Sequence, residues 1–172
     1  NTTVSDSIIN GYNTAVNINE GNFIARRTIL NGGGVDGTTA VIKNKGGNEI
    51  SLFYSTVNGN IELGEGNTVF NTSYINGDIK LADGNNLLDI ENSYINGKIT
   101  IGNGDLTLNS SNTKIYGDID IGNGNHNVIF SNNYFDSFDM SVGKGNSIID
   151  ISDSFFNGFN IVSKGENNKL NL

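Results

Sequence analysis

The sequence predicts an all-β fold, a parallel β-solenoid of about eight coils, each with three short strands and three turns. Three observations carry that prediction. A five-residue motif recurs about every twenty residues, most clearly as Ser73-Tyr-Ile-Asn-Gly77, Ser93-Tyr-Ile-Asn-Gly97, Thr113-Lys-Ile-Tyr-Gly117 and Ser154-Phe-Phe-Asn-Gly158. A second glycine turn, such as Asp83-Gly84-Asn85 or Asn123-Gly124-Asn125, keeps the same spacing independently. Between the turns, apolar residues alternate with polar ones at a period of two, and no segment keeps a helical period. A supersecondary unit of this length cannot bury its apolar face alone and must stack on its neighbours.

The elements follow in chain order within each coil. Anchoring on the motif glycine gives Gly11, Gly32, Gly59, Gly77, Gly97, Gly117, Ser137 and Gly158. Anchoring on the second turn gives Gly21, Gly47, Gly66, Gly84, Gly104, Gly124, Gly145 and Gly165. Two residues before the motif glycine stand Ile9, Leu30, Val57, Ile75, Ile95, Ile115, Phe135 and Phe156, always apolar. Two residues further back stand Ser7, Thr28, Ser55, Ser73, Ser93, Thr113, Asn133 and Ser154, always small and polar. Residues two apart on a strand share a face, so both columns point inward, the hydroxyls bonding along the stack. The second strand follows the motif (Ile61/Leu63, Ile79/Leu81, Ile99/Ile101, Ile119/Ile121), and the third follows the second turn (Leu88/Ile90, Val128/Phe130, Ile149/Ile151). The asparagines Asn58, Asn76, Asn96 and Asn157 read as structural turn residues that accept left-handed backbone angles. The second coil is longer, and its surplus, residues 32–39, reads as a loop insertion.

Composition narrows the function. The chain has 172 residues, 18 acidic against 10 basic, a formal charge of −8, and no cysteine, proline or tryptophan. One domain is expected at this length, a rod segment about 40 Å long at ~4.8 Å per rung. Without cysteine there is no disulfide framework and no thiolate metal site. The acidic balance and scattered bases argue against nucleic acid, which needs a Lys/Arg patch. No apolar run approaches the ~20 residues of a membrane span, so no membrane insertion of this segment is expected. With no starting Met and no polar capping coil at Leu172, the chain reads as a segment of a longer protein.

Asn/Gly-turned coils of about twenty residues, cysteine-free, with Ser/Thr and Ile columns, resemble the passenger domains of bacterial autotransporters, and in style the self-associating adhesins among them. The resemblance covers nearly the whole chain, though its coil pattern is shared by other β-solenoids. It implies a right-handed parallel β-helix, secreted to the bacterial surface and anchored to the outer membrane through a region not in this chain. It implies adhesion: cell–cell aggregation and biofilm formation by homotypic contact along the rod, or attachment to a host glycan or matrix protein.

Candidate contact residues follow from the register. The position before the inward apolar one faces out and reads Ile8, Ile29, Thr56, Tyr74, Tyr94, Lys114, Tyr134, Phe155. Exposed contiguous aromatic surface marks an interaction site, with mutual ring stacking as the structural alternative. Beside it runs a polar strip on the second strand: Asn60, Asp78, Lys98, Asp118, then Glu62, Lys80, Thr100, Asp120. Asp78 with Lys98, and Lys98 with Asp118, stand one rung apart and can pair; the strip is the candidate self-association surface, weak per pair and multiplied by valency. Catalysis is not expected: Asp118 and Asp120 share a face without an arginine, and His126 has no Ser/Asp constellation. A polysaccharide-depolymerising enzyme and a passive stalk spacer stay as alternatives. No cofactor is expected, and no calcium, because the turns lack the nine-residue Asp repeat.

Overall fold

A computed structural model describes residues 1–33, 40–46 and 48–172. The chain is all β, with no helix among the described residues, and winds as a parallel solenoid of about eight turns with coils of about twenty residues. Each coil contributes to three stacks. The long stack is a nine-stranded parallel sheet running from Thr2–Ser5 through Asn86–Glu91 and Leu106–Ser111 to Lys169–Asn171. The motif stack contains Ile8–Asn10, Tyr74–Asn76 and Tyr94–Asn96, and the middle stack contains Ile61–Leu63, Ile79–Leu81 and Ile99–Ile101. These two join into one 14-stranded sheet through Tyr134–Val142, a single nine-residue strand that runs through both.

Like residues sit above like, as the repeat requires. Tyr74 pairs with Tyr94, Ile75 with Ile95 and Asn76 with Asn96. Leu30, Val57, Ile75, Ile95, Ile115 and Phe135 form one fully buried column, joined by the inward residues of the other stacks into one continuous core. The polar column beside it is also buried between Thr28 and Asn133. Ser55 N–H donates to Ser73 Oγ (3.2 Å), Ser73 N–H to Ser93 Oγ (3.0 Å), and Ser93 N–H to Thr113 Oγ1 (3.3 Å). Thr113 N–H then donates to Asn133 Oδ1 (2.9 Å) and Asn133 N–H to Ser154 Oγ (3.1 Å). The hydroxyls of Ser73, Ser93 and Thr113 donate to the carbonyl two residues before them. Each hydroxyl thus satisfies a buried N–H at a corner where the strand ladder is interrupted.

That corner is left-handed. Asp6, Arg27, Tyr54, Thr72, Asn92, Asn112, Asn132 and Asp153, each just before the polar column, have φ between 47° and 54°. The motif asparagines Asn58, Asn76 and Asn96 do not: they lie in strands at ordinary φ and bond side chain to side chain. Asn58 Nδ2 donates to Asn31 Oδ1 (2.7 Å) and Asn96 Nδ2 to Asn76 Oδ1 (3.0 Å). Their role is structural, as expected, but an amide ladder rather than backbone tolerance is the reason.

Two register details differ from expectation. Thr68 pairs with Leu88 and Ile61 with Ile79, so the second turn of the third coil is two residues shorter than that of the fourth. Gly66 therefore pairs with Asn86 at a strand start, not with Gly84 in a turn. In the seventh coil an extra residue turns Phe138 inward, where it is buried against Phe130 and Phe135 at ring distances of 6.2 and 4.4 Å. The loop expected over 32–39 lies outside the described residues apart from Gly32 and Gly33, and Gly47 lies outside them too.

Candidate interaction face

The motif stack shows two columns to solvent, and the aromatic one forms a continuous ladder. Tyr74 stacks on Tyr94 with centroids 4.5 Å apart and planes 8° from parallel. Tyr134 stacks on Phe155 at 5.3 Å and 12°. Lys114 would break the series, but Tyr116 fills the gap: its ring lies 5.0 Å from Tyr94 and 5.9 Å from Tyr134. Tyr116 occupies the position that holds Asn96 in the coil before and Asp136 in the coil after, two residues from Lys114 and just past the strand Lys114–Ile115, and its ring reaches across. The sequence signal was the break in the Asn column coinciding with the break in the aromatic column. Tyr74, Phe155 and Lys114 are exposed, while Tyr94 and Tyr134 are half-buried by their neighbours. Burial among the rings, with the adjacent phenols of Tyr74 and Tyr116, raises the Tyr94 hydroxyl above the usual tyrosine value. Beside the ladder, a shallow groove of about 420 Å³ runs past Thr72, Asn92 and Asn112.

The polar strip is wired differently from its sequence reading. Lys98 Nζ pairs with Asp120, one coil on and two residues along, rather than with Asp78 or Asp118. Asp120 also accepts from Ser141 Oγ (2.6 Å). Hydrogen bonding to Lys98, then to Ser141, holds the Asp120 carboxyl below its ordinary value, and the same pair raises Lys98. Asp78 and Asp118 turn to the backbone instead. Asp78 Oδ1 accepts Lys98 N–H (2.9 Å) and Asp118 Oδ1 accepts Asp139 N–H (3.2 Å). The expected rung-to-rung pairs lose because a carboxylate at the turn sits directly over the next coil's N–H. Among the described residues, Lys80 is the strip cation with no ion pair, and Glu62 pairs with Lys43 at 3.7 Å.

The remaining candidates resolve simply. His126 is buried in the long stack, and its Nε2 lies 3.1 Å from the Gly122 carbonyl, so that nitrogen carries the proton. Its Nδ1 is buried without a partner, and burial lowers the ring's pKa. Asn86, in the same column, spends its amide on the equivalent carbonyl of Ala82 (3.1 Å), so His126 closes a turn. No family model matches the chain. No curated protein and no solved structure matches it either.

Proposed function

We propose that this chain is a segment of a secreted, cell-surface bacterial adhesin whose rod binds through its flank, most directly to further copies of itself on neighbouring cells. The observation that carries the reading is the regular register of the flank: outward positions stand directly above one another rung after rung along the motif stack, with rings on most rungs from Tyr74 to Phe155. A repeated surface gives many weak contacts at once, and their combined strength grows with the number of rods engaged. The aromatic ladder favours a protein partner over a glycan. Sugars stack on ring faces, and here the rings spend their faces on each other, leaving edges and hydroxyls outward. The strip carboxylates favour binding over acid–base chemistry, because Asp120 is held ionised by Lys98 and Asp118 is spent on a backbone N–H.

Beads carrying the chain at high surface density test the reading. They should clump with one another, spare bare beads, and be dispersed by excess soluble chain. Beads that stay dispersed at every density would remove homotypic adhesion; clumping only when a glycan- or matrix-coated bead is added would move the reading to a host ligand.

A further inference from the structure

We infer that the motif-stack face, with its aromatic ladder and amide column, is where two copies of the rod meet side by side, in preference to the charged strip. The inference rests on the homotypic reading above and assigns its surface. Charge decides the choice. The chain carries −8 overall, so two rods repel unless they approach along a face that contributes little to that charge. The sixteen outward positions of the two motif-stack columns hold one cation, Lys114, and one anion, Asp136, and so sum to zero.

Surface chemistry agrees. This face also carries exposed apolar area on its interior rungs, with Tyr74 40% and Ile29 38% accessible, and tyrosine is the residue type that interfaces favour. The strip has less to offer a partner, since Lys98 and Asp120 already neutralise each other and Asp78 and Asp118 cap backbone N–H groups. Size sets the strength. A face of eight rungs at ~4.8 Å and about 10 Å wide buries roughly 400 Å² per copy, about half of what a stable dimer uses. The contact is therefore weak for one pair and effective only in arrays.

Two features make the test clean. The chain has no cysteine, so a single introduced thiol takes a polymer label at one place. Lys114 and Lys80 are both exposed, one on each candidate face, and replacing either removes one positive charge. Lys114→Cys and Lys80→Cys, folded and then coupled to polyethylene glycol, would be compared with the unlabelled chain by sedimentation velocity up to about 1 mM. The label at 114 should abolish the dimer and the label at 80 should leave it. Raising salt from about 0.05 M to about 0.5 M should hold or tighten the dimer, because screening removes the repulsion between like-charged rods. A label at 80 that blocks, a label at 114 that does not, or a dimer that salt dissolves would overturn the face assignment while self-association stands. An unlabelled chain that stays monomeric throughout overturns both.

Discussion

Thr72 sits where a β-branched residue is least welcome, at φ 50° in the left-handed corner, while the next three coils place Asn92, Asn112 and Asn132 there. Asparagine accepts that region and threonine does not. Thr72→Asn should therefore raise stability by about 1 kcal/mol, read by urea denaturation; a loss of stability would mean that the Thr72 hydroxyl's bond to Asn71 (2.9 Å) outweighs the strain. His126 offers a second test at this scale. Its folded pKa lies below the ordinary 6.5, so the folded state prefers the neutral ring. That contribution is whole above pH about 6.5 and is lost as pH falls from there toward the lower folded value. His126→Asn, which copies the Asn86 solution, should flatten the melting temperature across that window. It should leave untouched the separate loss lower down, below the ordinary carboxylate value of 3.8, where the lowered carboxyls of Asp6 and Asp120 protonate. An unchanged slope in the variant would show that His126 is not the titrating group. The left-handed corner was not legible in the sequence, because Asp, Arg, Tyr, Thr and Asn all fill it and only the backbone unites them.

At the level of the coil, the polar column does the work that strand hydrogen bonds cannot do at a corner. Ser93 Oγ accepts from Ser73 N–H, with both residues buried, and donates to Glu91 O. Ser93→Ala should cost about 1–3 kcal/mol, because it strands a buried N–H. Ser93→Thr should cost much less, since Thr113 makes the same bonds one coil on. If the two variants unfold at the same denaturant concentration, the ladder is not what holds the corner. Glycine at the second turn is required twice over: Gly124 has φ 152°, and a Cβ there would strike the Gly104 carbonyl of the coil below. Gly124→Ala should cost more than about 2 kcal/mol by the same measurement. The inward columns were readable in the sequence because period two and period twenty fix them independently. The two-residue deletion in the third coil was not, because Gly64, Gly66 and Glu65 offer two alignments of one turn and only strand pairing chooses between them.

For the whole rod, the fold was legible and the wiring of its surface was not. The outward aromatic column could be read from Tyr74, Tyr94 and Tyr134, but its continuity depends on Tyr116 reaching over from the neighbouring column. The strip's charges could be read, but not their pairing, since Lys98 chooses a diagonal partner that rung-by-rung alignment does not suggest. Together these shift the expected contact from the charged strip to the neutral face. At 18.4 kDa the chain is within reach of residue-resolved NMR, and a dilution series of the amide spectrum tests that contact most directly. Shifts should move with concentration at Tyr74–Asn76, Tyr94–Asn96, Lys114–Ile115 and the start of Tyr134–Val142, and stay still at Ile79–Leu81, Ile99–Ile101 and Ile119–Ile121. Movement confined to the second group, or no movement at all, would contradict it.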